Sequence, residues 1–121
     1  MKRDLELIRK IVLAIEDDPS GFAPGDLKFE GYTDEQVGYH AYLLLDAGFA
    51  KGEDISSMDS DAPEGFISSL TWAGHEFADA ARDETRWRKA AGIVQEKGGN
   101  VTIGVLTQLL VSLMKDALGL P

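Results

Sequence analysis

Thr33 and Gln36 stand three residues apart at the head of an apolar-periodic run, with Tyr32 before them and Val37 after. A threonine at an N-cap accepts from the third helical amide, while a glutamine at that third position reaches back to the cap's own amide. Apolar side chains on either side staple the entering chain. The pattern predicts a helix that starts at Asp34. Val37, Ala41 and Leu44 mark its inner stripe, and Gly48 falls at the position just past the C-cap, where a left-handed residue stops a helix. A helix over 34–47 is thus fixed at both ends, and the flanking segments must be organised around it.

On the N-terminal side, Leu5, Ile8, Ile11, Val12 and Ile15 recur at three- and four-residue steps, predicting a helix over 3–17 that stops before Pro19. Glu16, Asp17 and Asp18 crowd negative charge at the negative end of its dipole, costing roughly 0.3 to 1 kcal/mol apiece if exposed. Either that turn frays or a cation sits beside it. Residues 19–31, with two prolines and three glycines, read as loop, with room for a short strand at Leu27–Phe29. On the C-terminal side, the strand-like runs Phe49–Ser57 and Gly65–Thr71 flank a polar tip, Met58–Glu64, and predict a long-looped β-hairpin.

Thr71 then caps a long helix from Trp72 to about Lys97, ended by Gly98 and Gly99. Phe77, Ala80, Glu84, Trp87, Ala91 and Val94 alternate in steps of three and four, a coiled-coil-like seam interrupted by one carboxylate. A final helix over 101–118 is rich in Ile, Leu and Val, and needs a cover from its own domain or from a second chain. These elements make a mostly α chain with a small β-hairpin. At 121 residues it suits a single domain over 1–121, with parts 1–71, 72–97 and 101–118, and a homodimer through the last two helices is expected. With no cysteine there is neither a disulfide framework nor a thiolate site, and no apolar run is long enough to span a bilayer, so a cytoplasmic protein without membrane partners is expected.

The order helix, loop, capped helix, hairpin resembles a winged helix-turn-helix. Residues 33–50 (TDEQVGYHAYLLLDAGFA) are similar to the third helix of that fold and its exit into the wing. The second helix would fall near Gly21–Glu30, too rich in Gly and Pro for a good helix, so the fold class is a degenerate winged helix-turn-helix followed by two C-terminal helices. A closer resemblance rests on MKRDLELIRKIVLAIE, YTDEQVGYHAYLLLDAG and LTWAGHEFADAARDETRW followed by EKGG. Together they resemble the domain of unknown function 2513 family of bacteria and phages. That resemblance implies a winged-helix-like fold and carries over no catalytic or binding residue.

Charge argues against the activity the fold suggests. Residues 11–81 hold only Lys28 and Lys51 against fifteen acidic side chains, and the whole chain has a formal charge of -9. Duplex DNA binders gain affinity by replacing counterions with Lys and Arg, and read bases with Arg, Lys, Asn or Gln. The outer side of the 34–47 helix instead carries Asp34, Glu35, Gly38, Tyr39, Tyr42 and Asp46, and the hairpin tip Asp59, Asp61 and Glu64. Tyr39 and Tyr42 between Glu35 and Asp46 are candidates for an aromatic anchor toward a protein partner, a basic one by charge. The alternative is a DNA-binding regulator using the helix 34–47 and the wing 49–71. A second cluster, Arg82, Arg86, Arg88 and Lys89 around Trp87, is the one place an anion would be welcome, or else an interface patch that meets the acidic middle segment. No enzymatic constellation emerges. His75-Glu76 lacks the second histidine of a zincin, because Asp79 stands there, and His40 falls among apolar positions as a packed side chain. Pro63 spoils a calcium loop at Asp59–Glu64, and no phosphate-binding glycine motif or nucleophile elbow occurs. No metal, cofactor or catalytic residue is expected.

Overall fold

The computed structural model describes all 121 residues: α1 (Leu5–Glu16), α2 (Asp34–Asp46), β1 (Ala50–Asp54), β2 (Gly65–Leu70), α3 (Trp72–Ala81), α4 (Glu84–Glu96) and α5 (Ile103–Ala117). It is mostly helical with one antiparallel hairpin, as the periodicities require. The chain divides into two compact units, residues 1–76 and 77–121, with the boundary inside α3.

In the first unit, α1 packs on α2 and β2, and α2 packs on both strands. Leu7, Ile8, Ile11, Val12 and Ile15 of α1 are buried, as are Val37, His40, Ala41 and Leu44 of α2 and Ala50, Ile67 and Leu70 of the hairpin. The α1 stripe holds at Ile8, Ile11, Val12 and Ile15, with fully buried Leu7 joining it and Leu5 left half-buried. α2 begins with the reciprocal capping box at Thr33 and Gln36. It ends in a Schellman motif, with Gly48 at φ +79° and the Phe49 amide donating to the Leu44 carbonyl at 3.0 Å. At the end of α1 an imidazole sits beside the acidic turn: His75 Nδ1 lies 3.1 Å from the Glu16 carboxylate.

No helix and no strand forms between α1 and α2. The short strand expected at Leu27–Phe29 is absent, and the loop instead reaches the hairpin through one bond, from the Ala23 amide to the Ser68 carbonyl at 2.8 Å. The hairpin's first strand stops at Asp54 because the Asp54 carboxylate caps the Ser56 amide and the Ser57–Ser60 turn folds the backbone out of the ladder. A bulge between Lys51 and Gly52 leaves Ser68 unpaired. Gly65 is required there: a Cβ on it would stand 2.6 Å from the Tyr42 nitrogen and 2.7 Å from the Tyr42 Cα, so the hairpin touches α2 backbone to backbone.

The single helix expected over 72–97 is two. Asp83 adopts extended angles and caps α4 by accepting from the Arg86 amide at 2.7 Å, an Asx cap that competes with helix continuation. The expected seam breaks with it. Phe77, Ala80 and Trp87 are buried, but Ala90 takes the place assigned to Ala91. Glu84 lies outside, on the first turn of α4, paired with Arg88 at 3.1 Å. In the second unit α5 packs on α4 and buries only Leu106 and Leu110.

Candidate functional site

Asp4 anchors the first unit. Its backbone amide donates to His40 Nε2 at 2.8 Å, its Oδ1 caps the Leu7 amide, and its Oδ2 accepts from the Tyr32 hydroxyl at 3.1 Å. His40 Nδ1 lies 2.7 Å from the Gln36 carbonyl, so the ring carries its proton on Nδ1 and accepts on Nε2. His40 is thus a packed histidine with both ring nitrogens satisfied, where the sequence reading expected one partner. Burial, with the Asp4 carboxylate beside it, holds the Tyr32 hydroxyl above its ordinary pKa of 10.0. The triad ties the start of α1 to Tyr32, just before α2, and to His40 in the second turn of α2, leaving the opposite side of α2 outside the core.

Steps of four, three and four residues put Glu35, Tyr39, Tyr42 and Asp46 in one stripe on that opposite side. Glu35 and Asp46 are exposed, and the two tyrosines are half-buried. Their rings stack with centroids 6.2 Å apart and planes 26° from parallel, while Tyr39 also meets His40 edge-on. The structure therefore brings the four residues together as an acid-aromatic-aromatic-acid row.

Beside the row lies a groove of about 230 Å³ between loop 24–28, α2 and the hairpin, floored by Val37, Ala41 and Ile67. Glu64 lines it beside Gly38, where a Cβ would stand 3.0 Å from the flexible Glu64 Cγ. Asp26 and Asp34 share the rim with Lys28. Farther along the hairpin, Glu53, Asp54, Asp59 and Asp61 are all exposed, with Lys51 the cation on these strands. Hydrogen bonds from Ser56 hold the Asp54 carboxyl, at the end of β1, below its usual pKa.

The basic residues of the second cluster take different positions along the joint and α4. Trp87 is only 6% exposed and cannot offer its ring to a base. Arg86 is half-buried and its guanidinium donates to the Ala80 carbonyl at 3.3 Å, Arg88 pairs with Glu84, and Arg82 occupies the joint between α3 and α4. Lys89 is exposed, about 100° around α4 from Arg88. Gly38, on the outer side of a well-capped helix, lies where the Glu64 side chain approaches α2.

No group of His, Asp or Glu side chains is arranged to hold a metal ion, and no helix is long and apolar enough to cross a membrane. An uncharacterized protein of Haemophilus influenzae (strain ATCC 51907 / DSM 11121 / KW20 / Rd) is 31% identical over 121 residues, covering 98% of this chain and 99% of the relative. No solved structure matches the chain. The model of the family described as Hypothetical protein (DUF2513) matches residues 2–100, and the chain belongs to that family.

Proposed function

We propose that this protein is a non-enzymatic protein-interaction or regulatory module, a degenerate winged helix over residues 1–71 that uses α2 to meet a basic partner. The row of Glu35, Tyr39, Tyr42 and Asp46 on the exposed side of α2 carries the proposal. Two stacked phenol faces bracketed by carboxylates suit an arginine or lysine side chain, which gains from the ring quadrupoles and from the flanking charge. The same row opposes a phosphate backbone, and the acidic hairpin adds to that opposition.

The test is a pair of anisotropy titrations at low salt, one with a labelled arginine-alanine peptide and one with a labelled mixed-sequence duplex. The peptide is expected to bind, with affinity that falls as salt rises and is lost in the Tyr39→Ala/Tyr42→Ala variant, while the duplex does not bind. Tight duplex binding with a steep salt dependence would instead establish a DNA-binding regulator and overturn the proposal.

A further inference from the structure

Ile55 and Phe66 are large apolar side chains left 45% and 55% exposed on the hairpin. The Ile55 amide donates to the Glu64 carbonyl at 2.9 Å, which carries the strand pairing one residue past β1 and holds both side chains on paired backbone. Both line the groove of about 230 Å³ beside α2, whose floor of Val37, Ala41 and Ile67 is buried. That volume falls below the roughly 300 to 1,000 Å³ of sites that enclose a small molecule, and suits a single inserted side chain. Asp26, Asp34 and Glu64 stand exposed on the rim with Lys28. No hydrogen bond or ion pair within the chain engages these three carboxylates. The groove therefore offers an apolar floor, partly uncovered apolar walls and an anionic mouth.

That combination selects among occupants. A phosphate backbone or an anionic lipid surface meets three carboxylates at the mouth and is repelled. A wholly apolar segment fills the floor and leaves the mouth without counter-charge. A protein segment that carries an aliphatic side chain among arginines or lysines matches floor and rim together. The groove also adjoins the tyrosine row. Gly65 lines it, and a Cβ on Gly65 would stand 2.7 Å from the Tyr42 Cα; Gly38, which also lines it, is four residues from Tyr42 and so one turn away on neighbouring faces of α2. A helix with its side chains is about 10 Å across, a distance that an extended chain covers in about three residues. One short segment crossing α2 thus reaches both the groove and the row.

We infer that this groove takes an aliphatic side chain from a basic segment of a partner protein, about three residues from the arginine that meets Tyr39 and Tyr42, an inference that rests on the row's binding of a basic partner. The experiment is an anisotropy titration of the full chain at low salt with three labelled peptides of one length. The first is an arginine-alanine peptide, the second has leucine in place of one alanine three residues from an arginine, and the third is the leucine peptide with every arginine replaced by glutamine. The second should bind at least about tenfold more tightly than the first, the effect of burying one such side chain, and the third should not bind. Ile55→Ser/Phe66→Ser strips the walls at two exposed positions, and Gly38→Leu fills the groove from α2 at a position where a Cβ meets only the flexible Glu64 stem. In each variant, with an unchanged circular dichroism spectrum, the ratio between the first two affinities should fall to about one. Binding of both arginine peptides with no gain from leucine, a gain that persists in both variants, or equal binding of the glutamine peptide would overturn the inference and leave the row's role standing. Failure of both arginine peptides to bind would overturn the row's role and the inference with it. Self-association in sedimentation equilibrium that Gly38→Leu abolishes would assign the groove to a second copy of the chain and overturn the inference as well.

Discussion

The two histidines make the most direct test of how the first unit is held together. His40 is 2% exposed and bridges the Asp4 amide and the Gln36 carbonyl, whereas the His75 side chain is half-exposed and meets Glu16 across the surface. His40→Ala deprives the Asp4 amide of its acceptor, which costs about 1 to 3 kcal/mol in a poorly hydrated site. It also empties a ring-sized volume among Tyr39 and the α1 terminus, where large-to-small changes cost about 2 to 5 kcal/mol. Partial relaxation overlaps the two effects, so about 3 kcal/mol is expected, a large part of the roughly 5 to 15 kcal/mol that holds a domain. With a urea dependence of about 1.5 kcal/mol per molar, the unfolding midpoint should fall by about 2 M. His75→Ala should cost less than about 0.5 kcal/mol, as exposed ion pairs do. Urea titrations followed by circular dichroism decide the matter. Near-equal effects of the two substitutions, or a loss under about 1 kcal/mol for His40→Ala, would refute the assignment of His40 as the tie between α1 and α2.

Gly65→Ala drives a methyl into the backbone of α2 at Tyr42, and thermal melts should show a loss of about 1 to 3 kcal/mol or more. Gly38→Ala meets only the flexible Glu64 stem while gaining up to about 1 kcal/mol of helix propensity, so its melting temperature should hold or rise. The Tyr32 hydroxyl has its pKa raised above 10.0 by burial and by Asp4, so its contribution is complete below pH 10 and is lost as pH rises through the higher folded value. Stability curves of the wild type and Tyr32→Phe should therefore differ by about 1 kcal/mol at pH 8 and converge in stronger alkali; a constant gap would count against the hydrogen bond.

Local chemistry was legible in the sequence, and juxtaposition was not. The start of α2 was fixed by Thr33 and Gln36, and its end by Gly48, because caps are satisfied by residues within a turn or two. The break at Asp83 is hidden in the sequence because the three-four spacing of Phe77, Ala80 and Trp87 runs through it unaltered, and an aspartate mid-helix and an aspartate N-cap look the same there. Asp4 and His40 are thirty-six residues apart, and no periodicity connects them. The acid-tyrosine row was legible because it depends only on the helical repeat. The burial of Trp87 was not, since the basic residues around it resemble those of a stacking platform until the tertiary neighbours of α4 are known.

The row on α2 can also be separated from the fold by its own electrostatics. Glu35 lies in the first turn of α2, where a carboxylate meets the positive end of the helix dipole, and Asp46 is the last helical residue, where it meets the negative end. Glu35→Lys should accordingly destabilise by about 1 kcal/mol and Asp46→Lys should stabilise by a similar amount. Both side chains are exposed, so no packing is lost. The double variant should melt within about 2 °C of the wild type, since the two changes cancel and a 1 kcal/mol residue would shift a domain of this size by about 4 °C. Its row nevertheless carries two cations in place of two carboxylates. Arginine-peptide binding should disappear and weak duplex binding should emerge, with no change in circular dichroism. Single variants shifting stability in the same direction, or a double variant that unfolds, would mean that Glu35 and Asp46 hold the helix in place, leaving the row no separate role in recognition.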